Sequence, residues 1–217
     1  MSGEDKLNKG GGGRPTRKDA EAIDARILSA AATLFIERGL DGTSLEAVAA
    51  AAAVSKPTLY ARYAHKTQLF TAVIRTNVSA AMPTFDGTGI GSSTEERLRH
   101  AGRAVIEGAL QPTPLGLMRL YIAEALRHGP LIRELDRVGR EVALTAIAGA
   151  ISDPKAASTD RARIIAGHFL DMVFVPHLMR ALLDDLPDES DPLHPSLEER
   201  IDTAVAALRA LALLPSD

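Results

Sequence analysis

The chain has no cysteine and no tryptophan among its 217 residues. Without cysteine there is no disulfide, no thiolate nucleophile and no cysteine zinc site, and a reducing compartment is expected. Aromatics are scarce, at 4% of the chain. Strand-like runs of alternating Val, Ile and Tyr are missing, while Ala and Leu are abundant, so the composition favours helix. No run comes near the ~18 apolar residues of a membrane span. The N-terminus, MSGEDKLNKGGGGRPTRKD, has no apolar signal core, so export is not expected and a cytoplasmic protein is. Acid is also missing from one long stretch: no Asp or Glu falls between Glu46 and Asp86, while Lys56, Arg62, Lys66 and Arg75 do.

The charge is uneven. Residues 1–75 hold 11 Lys/Arg against 8 Asp/Glu, a net of +3, although the whole chain carries −3. A basic front on an acidic body suits a polyanionic partner at the front alone, although a solvated charged face would give the same excess.

Residues 1–18 are polar and include four consecutive glycines, and read as a disordered arm. From Asp19, the residues Ile23, Ile27, Ala30, Ala31, Leu34 and Phe35 make one helical stripe. Gly39 suits the left-handed residue that ends such a helix, and Asp41-Gly42 reads as a turn. Thr43 with Glu46 forms a capping-box pattern ahead of a short helix with Leu45, Val48, Ala49 and Ala52 on one face. After a break at Ala53-Val54, Ser55 is the next N-cap and Pro57 falls in the first helical turn. That third helix is expected to reach about Ala64. A fourth, from Lys66 to Ala81, buries Leu69, Phe70, Val73 and Ile74. The segment 82–94 reads as a linker. Beyond it, helices are expected near 94–110, 113–128, 130–151, 158–184 and 195–213, with a kink at Pro176. The expectation is an all-α chain: a small domain over 19–81, and a larger helical one over 94–214.

A short helix, a tight turn and a second helix opening SKPTLY make a helix-turn-helix, over about residues 44–63. In such a unit the second helix enters the major groove. Leu59 and Tyr63 share the inner face, which leaves Lys56, Thr58, Tyr60, Ala61 and Arg62 outside. Ser55, Lys66, and Thr43 with Ser44 stand at helix N-termini, where amides can hold phosphate. Each feature alone has a bland reading as core packing or a solvated side chain. Their combination with an acid-free flank points to double-stranded DNA. Arg14, Arg17 and Lys18 are placed either to reach an adjacent minor groove or to serve as a solubilising tail.

The stretch GTSLEAVAAAAAVSKPTLYARYAHKTQLFTAVI, with GRPTRKDAEAIDARILSAAATLFIERGLDG before it, resembles the DNA-binding domain of tetracycline-repressor-type (TetR) regulators. The likeness covers about residues 14–80. It implies that Tyr60 packs on the DNA backbone, that Lys66 anchors a phosphate, and that Lys56, Pro57, Thr58 and Arg62 lie at the groove. Ala53 departs from the family's frequent glycine, which implies a turn that is strained or shaped differently; His65 and Thr67 flank Lys66 where small caps and an acid are common, which implies a different phosphate contact at the fourth helix.

A single small reader neutralises few phosphates, so two copies are expected. The stripe Leu197, Ile201, Ala204, Val205 and Leu208, with the apolar residues of 158–184, is expected to form a four-helix homodimer interface. Met118, Tyr121, His128, Phe169, Met172, Phe174 and His177 are expected to line a pocket for a small-molecule effector. The resemblance implies a repressor released from a palindromic operator by that effector. No cofactor and no metal site is expected; His168 and Asp171 share a helix face, but two groups do not make one. An enzyme finds little support, because GTGIGSS lacks the dinucleotide spacing and no Walker sequence, serine elbow or H-E-x-x-H occurs. A helical protein-binding adaptor is the third class, separated from a DNA binder by a salt titration.

Overall fold

The structure is a computed structural model, and it describes residues 17–81, 93–152, 160–184 and 195–214. The described residues are helical, with no strand among them. The helices are α1 (Arg17–Gly42), α2 (Leu45–Ala51), α3 (Lys56–Tyr60), α4 (Lys66–Ala81), α5 (Thr94–Ala109), α6 (Pro112–Glu124), α7 (Gly129–Ile151), α8 (Asp160–Leu182) and α9 (Leu197–Ala210).

The front of the chain is built on α1. Its residues Ile27, Ala31 and Phe35 are fully buried. Phe35 meets Phe70 of α4 edge to face, ring centroids 5.3 Å apart, an arrangement aromatic rings prefer. Arg17 and Lys18, expected in the arm, form the first turn of α1 instead; Arg14 and the rest of the arm lie outside the described residues. Gly39 has φ 75 and ψ 171. The positive φ favours glycine, as expected, but ψ is extended rather than left-handed helical. Asp41 and Gly42 return to helix after it, so the expected turn sits one step earlier, and Leu40 folds back to full burial.

The capping pattern also shifts by one residue. Ser44, not Thr43, is the N-cap of α2, its hydroxyl accepting from Ala47 N at 3.1 Å. Thr43 is buried, and its hydroxyl contacts the carbonyls of Leu34 and Gly39 at 3.0 and 2.9 Å. Helix C-termini leave carbonyls without partners, and Thr43 supplies the donor. Glu46 is consequently released for another contact, described below. The helix α3 stops at Tyr60, shorter than expected, and the chain turns through Ala61 and Arg62.

The body packs α5, α7, α8 and α9 on one another. Leu98, Val105, Ile147, Phe169, Val173, Ile201 and Val205 fill its core. Packing is tight enough that a methyl on Gly102 would overlap the Phe169 ring. The first core does not stop at α4: Leu117 of α6 and Ile132 and Leu135 of α7 are buried in the same cluster as Phe35 and Phe70. Front and body are thus joined through α6 and the start of α7.

Two expectations for the body need correction. The α6 helix ends at Glu124, not near 128: the Ala125 amide bonds the Ile122 carbonyl three residues back at 3.2 Å, and residues 125–127 form a turn. The stripe of Ile201, Ala204, Val205 and Leu208 is buried within its own chain, so it is not the surface that meets a second copy. The outer face of α9 instead shows Thr203, Ala206 and Ala210. Pro176 lies inside α8, with helix on both sides. By length and composition α8 is apolar enough to cross a membrane. Its inner face is nevertheless committed to the body core, with Ile165, Ala166, Phe169 and Val173 buried there.

Candidate nucleic-acid interface and effector cavity

The α3 helix is short, and its hold on the front comes from both ends. Ser55 caps it, accepting from Thr58 N at 3.2 Å and sharing a hydroxyl–hydroxyl contact of 2.7 Å with Thr58 Oγ1. Leu59 anchors the inner face with no exposed surface. Lys56, Pro57, Tyr60 and Ala61 are exposed, and Thr58 and Arg62 half-buried. His65 is exposed just before α4, and Lys66 opens that helix half-buried.

The acid-free stretch is not free of acid in space. Three carboxylates arrive from α1 and α2. Arg62 Nε lies 2.6 Å from Asp24 Oδ1. Lys66 Nζ donates to the Asp41 carbonyl at 3.2 Å and stands 3.8 Å from its carboxylate. Tyr60 Oη donates to Glu46 Oε1 at 2.8 Å. The hydrogen bond from Tyr60, more than any other cause, holds the Glu46 carboxyl below its usual range, and the same bond pushes the Tyr60 phenol up.

These partners change the roles expected from sequence. Arg62 ties α3 to α1 and is aimed at Asp24 rather than outward. Thr43 is spent on the end of α1, so its hydroxyl is not offered to a phosphate. Lys66 sits over the end of α1, where a cation is favoured by the helix dipole. Tyr60 is oriented by Glu46, which fixes α2 against α3. Lys56 is exposed and forms no ion pair with a described residue, although it helps keep Glu46 ionised. Arg17 pairs with Glu21 at 2.8 Å on the exposed side of α1.

Ala53, in the turn between the two helices, has φ 52. An L-residue with a Cβ is strained there by roughly 1 kcal/mol, and glycine is not. Ala53→Gly is expected to stabilise the chain by about 0.5–1 kcal/mol. Thermal melts should show a rise of roughly 1–4 °C.

A cavity of about 180 Å³ lies between α4, α6, α7 and α8. Three of the residues expected there do line it, Met118, Tyr121 and Phe174. Four do not. Phe169 is sealed in the body core, Met172 sits on the outer face of α8, His177 is buried, and His128 caps α7. The lining that sequence reasoning missed includes Ile74, Asn77 and Val78 of α4, Leu117 of α6, and Asp136 and Arg140 of α7. Helical spacing could show which residues of α4 were apolar, but not that one apolar side would be left open. Burial pushes the Tyr121 phenol up, so at neutral pH it presents a hydroxyl and not an anion.

His177 has no hydrogen-bond partner for Nδ1. Burial first, and the Arg200 charge second, lower its pKa from the ordinary 6.5. In the unfolded chain the imidazole takes up a proton near pH 6.5, which the folded state resists. Stability is therefore lost as the pH falls through that range. In His177→Asn the melting midpoints measured at about pH 7.5 and pH 5.5 are expected to draw closer together than in the parent.

A capped two-helix unit with an exposed reading face, set on a larger helical body that holds an apolar cavity, defines a helix-turn-helix regulator. Residues 27–73 match the family described as bacterial regulatory proteins, tetR family. The chain is 28% identical over 166 residues to the HTH-type transcriptional activator FasR of Mycolicibacterium smegmatis, covering 75% of this chain and 74% of that one. It is 39% identical over 57 residues to the HTH-type transcriptional repressor SCO4008 of Streptomyces coelicolor, covering 26% of this chain and 30% of that one. A crystal structure of a TetR-family transcriptional regulator from Mesorhizobium loti superposes with a TM-score of 0.68 and 25% identity, covering 90% of this chain and 98% of the other. Residues 27–73 thus match the tetR-family DNA-binding domain, and over most of its length the chain is similar to TetR-family DNA-binding transcriptional regulators.

Proposed function

We propose that the chain is a cytoplasmic repressor that binds a near-palindromic operator as a homodimer and is released by a small molecule. In this reading residues 1–16 are the arm, 17–81 the reading domain and 94–214 the effector and pairing domain. The observation that carries it is the exposed face of α3, with Lys56, Thr58 and Tyr60 on a helix held by a cap, a buried leucine and a tyrosine–glutamate bond. Base edges are met by Lys56, Pro57, Thr58 and Ala61. Phosphates are met by Tyr60, Lys66, His65 and the amides behind Ser44 and Ser55. Arg17 adds basic charge from the start of α1, Arg14 from the arm, and Arg62 acts through α1.

Pairing is supported by the outer face of α8, where Ile164 and Met179 are 61% and 54% exposed beside Met172. A helix apolar on two faces needs two neighbours, and a second copy supplies the second. Two half-sites then lie ~34–36 Å apart.

The effector is an apolar molecule with a polar group for Tyr121 or Arg140. The cavity is walled on one side by α4, the helix whose first residue is Lys66. A ligand that displaces α4 moves the reading unit with it, and linkage requires DNA to weaken that ligand in return. The relative matched along three quarters of the chain is an activator. Activation is therefore the second reading, separated from repression by the sign of the change in transcription from an operator-bearing promoter.

The test is selection of bound sequences from random DNA by the full chain. Enrichment of two-fold symmetric sites with half-sites about one turn apart is expected, with affinity falling linearly in log–log terms as salt rises. Recovery of no symmetric site, or binding indifferent to salt, would overturn the reading.

A further inference from the structure

Three side chains that the DNA reading leaves unused converge where the front meets the body. Asp41 lies at the end of α1, Glu124 ends α6, and His128 caps α7. His128 Nε2 is 3.8 Å from Asp41 Oδ1 and 3.8 Å from Glu124 Oε2. One ligand atom from each residue lies within 4.8 Å of the other two.

These contacts are too long for hydrogen bonds. Glu124 is only 6% exposed, and both its Oε2 and His128 Nε2 are buried without a hydrogen-bond partner. Burying a carboxylate oxygen and an imidazole nitrogen 3.8 Å apart, neither with a protein hydrogen-bond partner, is costly. A shared cation removes the cost. Metal–ligand bonds of about 2.0–2.2 Å place neighbouring ligand atoms roughly 3–3.5 Å apart, so the His128 contacts close by less than about one ångström and the widest pair by up to about 2 Å.

We propose that Asp41, Glu124 and His128 bind a divalent first-row transition cation of the zinc class. One imidazole nitrogen and two carboxylates match that class, whereas magnesium and calcium prefer all-oxygen sets. Asp41 is the exposed ligand, and water fills the remaining positions. Two cations crowd the site. Lys66 Nζ is 3.8 Å from Asp41 Oδ1, and an Arg127 nitrogen is 4.0 Å from Oδ2. Both weaken the bound ion, so the site is a reversible one.

The position gives the ion a consequence. It fastens the end of α1 to α6 and α7, across the seam between the reading unit and the body. It also draws the Asp41 carboxylate away from Lys66, leaving that ammonium more available to a phosphate. Metal and DNA are then coupled, each changing the other's affinity by one factor.

The test is calorimetric titration of tag-free, chelator-stripped full chain with zinc chloride, and needs no DNA. One saturable site per chain is expected, together with a zinc-dependent rise in melting temperature. Glu124→Gln and His128→Ala should each lose affinity by at least the roughly 10–100-fold that removing even an outer-shell partner costs. Asp41→Asn, at an exposed position, should weaken binding as well. Zinc-free Glu124→Gln should melt no lower than the parent, because the amide removes a buried charge; this separates loss of the site from loss of the fold. Absence of saturable binding, or binding unchanged in all three variants, would overturn the proposal and leave the DNA reading untouched.

Discussion

Lys56→Ala is expected to weaken operator binding about 30-fold or more and to relax the sequence preference at the base it meets. A side chain that reads a base edge contributes roughly 1–3 kcal/mol, and a dimer uses it twice, giving about 2–6 kcal/mol in all. Lys56 is the residue to choose because it is exposed, caps nothing, and forms no ion pair with a described residue. Its loss should leave the melting temperature within about 1 °C of the parent, as for a surface substitution away from structural features. Fluorescence anisotropy with the selected operator and with single-base variants of it measures both effects. Arg62→Ala is the contrasting case. That side chain is 25% exposed and bonded to Asp24, so its removal frees α3 from α1. The expected signature is a fall in stability of about 1 kcal/mol and a loss of affinity shared by all sequences. If Lys56→Ala instead left affinity and preference unchanged, α3 would not be the reading helix.

Gly108→Ala is expected to destabilise the chain by about 1–3 kcal/mol or more. A methyl on Gly108 would overlap the carbonyl oxygen of Ala81, a backbone atom at the last residue of α4. A flexible side chain could turn away from such an overlap, but a carbonyl at a helix end moves only with the helix. Differential scanning calorimetry should show a melting temperature lower by roughly 2–4 °C for each kcal/mol lost. The end of α4 also walls the cavity, through Asn77, Val78 and Ala81. The substitution pushes on α4 from the side opposite the reading unit, so operator affinity should fall together with stability. Gly149→Ala is the matched control: a methyl there meets nothing within 4 Å, and it should change neither quantity.

Much of the front was legible because its signals are local. The serine that opens SKPTLY and the proline in the first turn place a helix start by chemistry acting over a few residues. Apolar residues at helical spacing identified Leu59, Leu69, Phe70, Val73 and Ile74 as inward, and all are buried. Ala53 stood out only through the resemblance, which has glycine at that position, the residue that tolerates positive φ; its φ is 52. Thr43 shows where local reasoning ends. Thr43 and Ser44 are both good caps, and the choice between them fell to Thr43's reach to Leu34, nine positions back.

Sequence alone determined the helices, their order and the side of α3 that faces water, since these depend on spacing, capping and the size of side chains close along the chain. Tertiary structure decided the partners. It carried Asp24, Asp41 and Glu46 onto the basic stretch, turned Arg62 inward, opened a cavity beside α4, and set Glu124 against His128 and Asp41. Charges and hydroxyls act across a few ångströms of space whatever their separation in the chain, and only the packed fold fixes which of them come within that distance.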